Sequence, residues 1–184
     1  MASGDTHTRA ELYVRSLAPR GAQASQESVV QRLLDMESEQ EFEFSVTVWG
    51  DQIATDSAVT RTEAGRTMIE TVRQFESWAA TNGYTVEPFF SDVRRESLLD
   101  GSYDAIIPPH LCLALYEDGD VAGVFPCSDR DANYTVEDAL EAMTADEDIP
   151  PLSATTLDAD DSDADDRFSE EEAPTYVSPI PLDE

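Results

Sequence analysis

Lysine is absent. Every basic side chain apart from two histidines is an arginine, and the 11 arginines stand against 40 aspartates and glutamates in 184 residues. The formal net charge is −29. No single segment carries it: residues 145–184 hold 14 acids and only Arg167, a net of −13, and the remaining 26 acids and 10 arginines leave −16. Such a charge repels itself in dilute salt and is screened in molar salt. Exchanging lysine's long apolar stem for short, strongly hydrated carboxylates points to a cytosolic protein of an extreme halophile. In ordinary salt the charge would argue against nucleic acid as a partner, because phosphate contacts need cations. In a saline cytoplasm, where every surface is acidic, that exclusion lapses.

Other scarcities exclude further classes. Two cysteines, Cys112 and Cys127, are too few for a disulfide-stapled secreted scaffold. No apolar run approaches the ~20 residues of a membrane-spanning helix, so no membrane association is expected. The start, MASGDTHTRAE, has neither a basic nor an apolar stretch, so no signal peptide is expected and the location reads as cytoplasmic. Eight scattered glycines form no phosphate-cradling loop, and His7 and His110 are little material for a nucleophilic triad. Acids are too abundant for any pair to stand out as catalytic. No cofactor is expected, and the balance leans away from an enzyme.

What is present is an ordered run of amphipathic segments. Residues 1–9 read as a loose arm, and Glu11 to Leu17 as a strand. A helix follows from about Gln26 to Glu37, capped by Ser25, with Val29, Val30, Leu33 and Met36 as its apolar stripe. Phe42, Phe44, Val46 and Val48 alternate with Glu43, Ser45 and Thr47, the pattern of a strand with one buried face. Thr60 and Glu63 have capping-box spacing ahead of a long helix, Arg61 to Thr81, ended by Asn82-Gly83. Its inward residues are Met68, Ile69, Val72, Phe75 and Ala79. Tyr84 to Phe90 reads as extended, and Ser91 to Ser102 as an excursion that fits a strand and then a turn at Asp100-Gly101. Asp118-Gly119 joins two apolar runs as a type I′ hairpin, with Glu117 opposite Asp120. Thr135 caps a last short helix containing Val136, Ala139, Leu140 and Met143. From Ala145 onward Asp, Glu, Ser and Pro dominate, the composition of a disordered acidic tail.

The expected fold class is α+β. It is a mixed β-sheet with a βαβ start, a long central helix, a C-terminal β-hairpin and a helix, over residues 10–144. That order resembles the thioredoxin-like fold, whose proline-then-hairpin portion is similar to Pro108-Pro109 followed by LCLALYEDGDVAGV. The resemblance implies a cis proline at Pro109. The loop after the first strand, APRGAQAS, holds no cysteine, which excludes that fold's usual thiol–disulfide exchange there.

ELYVRSL, VTVWGDQIA, TRTEAGR, FESWAATNGYTVEPFF and CLALYEDGDVAGVFPCSD resemble a haloarchaeal family of proteins labelled helix-turn-helix domain proteins. The resemblance spans residues 10–144 and implies DNA binding and transcriptional regulation. A helix-turn-helix joins two helices by a short turn, and the strand expected at Phe42 to Trp49 separates the first two helices here.

Several residues are candidates for chemistry. By the hairpin register Cys112 opposes Phe125 and Cys127 opposes His110, all on one face. His110, Cys112 and Cys127, with Asp129, would then offer zinc's mixed nitrogen and sulfur ligands, or the thiols a redox pair. The plainer reading is two small buried apolar residues beside an edge histidine. Arg66 and Arg73 share a helix face and Arg94-Arg95 lies in the excursion, so these four are the candidates for gripping DNA phosphate. Glu63, Glu70 and Glu76 on the same helix favour a self-neutralised, solvated face. Trp49 and Trp78 read as packing residues. Asp161, Asp163, Asp165 and Glu172 match calcium-loop ligand positions, but Asp166 stands where the sharp turn needs glycine. The segment Tyr176 to Leu182 could dock extended on an unidentified protein partner. The leading expectation is a small non-enzymatic binding or regulatory protein; the alternative is a redox- or metal-responsive module built on Cys112 and Cys127.

Overall fold

Strict alternation in the first strand organises the molecule. In β1, Thr8–Val14, the even positions Ala10, Leu12 and Val14 are fully buried apolar residues, whereas the odd positions carry Arg9, Glu11 and Tyr13. One strand thus presents an apolar face and a polar-aromatic face, and a different helix layer covers each. The computed structural model describes residues 8–17, 23–39, 43–56, 62–97, 101–145, 147 and 149–153. The expectations for Thr60, Phe42, the calcium-like window and Tyr176 to Leu182 lie outside these residues.

The main sheet has the order β2-β1-β6-β7, with β2 Glu43–Val48, β6 Leu111–Glu117 and β7 Asp120–Phe125. β1 pairs parallel with β2 and antiparallel with β6, so it is a central strand with neighbours on both sides. The crossover between β1 and β2 carries α1, Gln23–Glu39, whose Val29, Leu33 and Met36 form a buried stripe at helical spacing. α1 packs beside α3, Val136–Ala145, where the Thr144 hydroxyl reaches the Met36 sulfur at 3.8 Å. These two helices lie over the face of Leu12, with Leu113 and Phe125 beneath them.

The long helix α2, Glu63–Thr81, covers the opposite face, where Phe75 meets the Tyr13 ring edge-on at 5.5 Å. Ile69, Val72, Phe75 and Ala79 are buried as expected, and Met68 is partly so. Its N-cap is Thr62, whose hydroxyl accepts the Gly65 N–H at 3.0 Å. Asn82 closes the other end, donating its side-chain amide to the Trp78 carbonyl at 2.8 Å, and Gly83 follows at φ +79°.

Beyond the expected sheet lies a second one, of order β3-β5-β4, from Ile53–Ala54, Gly101–Ile107 and Ser91–Ser97. It gives the excursion after Phe90 a partner. A third ladder, β8 Cys127–Ser128 with β9 Asn133–Tyr134, leads into α3. There Thr135 and Asp138 cap reciprocally: the Asp138 N–H reaches the Thr135 hydroxyl at 3.2 Å and the Thr135 N–H reaches the Asp138 carboxylate at 2.8 Å.

Several expectations are corrected. Helix α1 begins at Gln23, so Ser25 lies inside its first turn instead of capping it. The strand expected at Glu11 starts at Thr8, within the presumed arm. The β2 segment is a strand, but its apolar face is only partly inward: Phe44 packs on the core while Val46 and Val48 are 39% and 40% exposed. β2 is an edge strand, and α1 does not reach across all of it. Tyr84 to Phe90 is extended only at its start, where Thr85 bridges Ser128; beyond it Phe89 and Phe90 turn back on the Val86 carbonyl. The hairpin keeps Glu117 opposite Asp120, with Asp118 and Gly119 at φ +51° and +96°. A register shift between Leu115 and Tyr116 then puts Phe125 opposite Leu113, not Cys112. The cis peptide is Phe125–Pro126, not one at Pro109. Finally, ordered structure continues past Thr144: α4, Pro150–Ser153, docks on β7 with Pro151 fully buried. Among the described residues no helix is long and apolar enough to cross a membrane.

Candidate functional site

The polar-aromatic face of β1 is the floor of a concavity among the described residues. A pocket of about 830 Å³ opens between this face and the first half of α2. β1 supplies Arg9, Glu11 and Tyr13, the neighbouring β2 segment supplies Thr47 and Trp49, and β6 supplies Tyr116. From α2 come Glu63, Thr67, Met68 and Thr71. Register explains the grouping. Tyr13 stands between Thr47 and Cys112, and Arg9 stands opposite Tyr116, so all these side chains leave the sheet on one side.

The carboxylate, guanidinium and hydroxyl groups of the floor are partnered with one another, as burial demands. One carboxylate oxygen of Glu11 accepts the Thr47 hydroxyl at 2.6 Å, and the other holds Arg9 at 3.4 Å. The Arg9 guanidinium also lies over the Tyr116 ring, 4.2 Å from its centre. The Tyr13 and Tyr116 hydroxyls meet at 3.1 Å. Burial raises the pKa of both phenols, and the Glu11 carboxylate adds to the effect. They therefore stay protonated and serve as hydrogen-bonding groups, not bases. Tyr13 stacks on Trp49 at 5.0 Å, and Trp49 meets Phe90 edge-on. Trp49 and Trp78 are buried, as packing residues are, and among the described residues no acceptor meets their indole N–H groups. The lining offers a charged pair, hydroxyls and ring faces, groups that can bind and orient a ligand.

The other candidates fall elsewhere. His110 is exposed ahead of β6, and its carbonyl accepts the Arg15 N–H at 3.3 Å. Cys112 lies in β6 opposite Tyr13, and Cys127 in β8 opposite Tyr134. Both are buried free thiols. Burial, reinforced by Cys127, raises the Cys112 pKa, and burial with Asp129 nearby pushes Cys127 to about 12. Neither forms thiolate readily at neutral pH. Asp129 is engaged in a turn, its carboxylate accepting the N–H groups of Asp131 and Ala132 at 2.8 Å each and the Tyr134 hydroxyl at 2.9 Å. Among the described residues no group of three or more His, Cys, Asp or Glu is placed to hold a metal.

The four arginines divide between two elements. Arg66 and Arg73 are exposed on α2, about 20° apart around its axis by helical geometry. Arg94 and Arg95 are exposed on β4. Arg94 donates to the Ser102 hydroxyl at 3.0 Å and pairs with Asp104 at 3.7 Å across the second sheet.

The pocket itself was not singled out from sequence. Its signal was the spacing Arg9-Glu11-Tyr13, charged and aromatic side chains at every second position of a strand. That spacing gains meaning only once β1 is known to be central. No curated protein and no solved structure matches the chain. A family described as a helix-turn-helix domain does match, over residues 2–148, and the chain belongs to that family.

Proposed function

We propose that this protein is a non-enzymatic, DNA-associated regulator of a halophilic archaeon, cytoplasmic, whose input is the pocket between the sheet and α2. The observation that carries the reading is the double role of α2. One side of this helix roofs the pocket through Thr67, Met68 and Thr71, and its outer side presents Arg66 and Arg73. A ligand beneath the helix and phosphate outside it would bear on the same rigid element. Family membership over most of the chain supports the DNA role.

The docking differs from that of a helix pair entering the major groove. α1 and α2 cover opposite faces of the main sheet, with β2 and β3 between them in the chain. α3 and α4 are successive, but α4 has four residues and its Pro151 is buried. Among the described residues, then, α2 is the long helix with an outward arginine face, and contact is to the phosphate backbone more than to base edges. Strand order β2-β1-β6-β7, with α1 and α3 on one face and α2 on the other, supports a thioredoxin-like topology.

The test is chromatin enrichment at molar salt, comparing the full chain with Arg66→Glu/Arg73→Glu. Enrichment of the parent chain that falls severalfold in the double variant is expected, since direct guanidinium–phosphate hydrogen bonds persist where the diffuse electrostatic attraction is screened. Absent or unchanged enrichment contradicts the reading.

A further inference from the structure

The charged pair in the pocket is slack. Arg9 and Glu11 touch through one contact of 3.4 Å, longer than the ~2.7–2.9 Å of a tight charge-assisted bond. Arg9 keeps 41% of its side chain exposed, and Glu11 keeps 15%. One Glu11 oxygen is committed to Thr47 at 2.6 Å; the other, facing Arg9, retains acceptor capacity.

Charge narrows the ligand. The lining carries one guanidinium, Arg9, and two carboxylates, Glu11 and Glu63. A phosphate or polycarboxylate would meet net repulsion. A simple cation would displace Arg9 from Glu11 and leave the guanidinium without its carboxylate. A wholly apolar molecule would strip water from the pair and return no polar contact. A molecule bearing an ammonium and a carboxylate on adjacent positions satisfies both sides: ammonium to Glu11, carboxylate to the forked donors of Arg9. Met68 and the rings of Tyr13 and Tyr116 then offer an apolar bed for the remainder.

Building on the pocket as the regulatory input, we propose that it binds a zwitterion of the α-amino-acid type with an apolar side chain, held between Arg9 and Glu11. Calorimetry on the full chain tests this without DNA, so its outcome is separate from the enrichment experiment, which adds no ligand. The twenty amino acids are screened first by thermal shift; phenylalanine, phenylethylamine and 3-phenylpropionate then separate the two charges. Expected are a saturable shift with at least one apolar amino acid and binding weakened at least about tenfold when either charge is missing. Glu11→Gln should weaken binding similarly. Met68→Trp, which fills the pocket from α2 and leaves the charged pair in place, should abolish it while the variant stays folded. The proposal is overturned if no amino acid gives a saturable shift, if an analogue lacking one charge binds equally well, or if Met68→Trp binds as the parent does.

Discussion

At the residue scale, environment separates carboxyls that look alike in the sequence. Asp129 is held low by the N–H groups of Asp131 and Ala132 and by the Tyr134 hydroxyl. Glu76 is raised, first by burial and then by Asp92 and Glu87. The sign for Glu76 is the less common one. Its folded pKa lies above the ordinary value of 4.5, so the folded state holds the proton more tightly than the unfolded chain. The resulting destabilisation is absent below the unfolded pKa, grows as pH rises from there through the folded pKa, and is complete above it. Glu76→Gln should therefore raise the melting temperature at pH 7, with the gain gone by about pH 4. Thermal denaturation of both proteins across that range checks it; a gain that persists at low pH would assign the effect to packing. None of this was legible beforehand, because 40 acids gave no reason to prefer any one of them. The cysteines show the same limit: one register shift in the hairpin removed Phe125 from opposite Cys112.

At the element scale, periodicity carried most of the information. The two long helices, the Asp118-Gly119 hairpin and the Thr135 cap follow from residue spacing and turn chemistry that act locally. What spacing could not reveal is which strand lies at an edge. Val46 and Val48 alternate as a buried face would, yet β2 is outermost and they remain substantially exposed. The second sheet was hidden because its pairing is long-range, Ile53 with Ile106 and Val93 with Ala105. Helix α4 was missed because its stability comes from docking, not from its four residues. Leu152 lies 3.0 Å from where a side chain at Gly123 would begin, so glycine there leaves room for the helix to seat. Leu152→Ala should cost about 1–2 kcal/mol, below the range for a fully buried leucine because this one is half-buried. Urea denaturation measures it; no change would mean that α4 contributes nothing to the fold.

At the scale of the whole molecule, one sheet divides the structure into an apolar layer under α1 and α3 and a mixed layer under α2. The second contains the Arg9–Glu11 pocket, and α2 connects that pocket to an outward arginine face. The separation of the first two helices by β2 was legible from the alternating Phe/Val segment; their placement on opposite faces was not, since it depends on the crossover of the chain. Because the native cysteines are buried, spin labels can be directed to Leu34→Cys on α1 and Glu70→Cys on α2. Two layers of about 10 Å each, one on either side of the sheet, put these helices more than about 20 Å apart, against about 8–10 Å between axes packed directly together. A label-to-label distance well above 20 Å is the predicted result; one short enough for adjacent helices would contradict the layered arrangement and restore the helix pair as the DNA-reading unit.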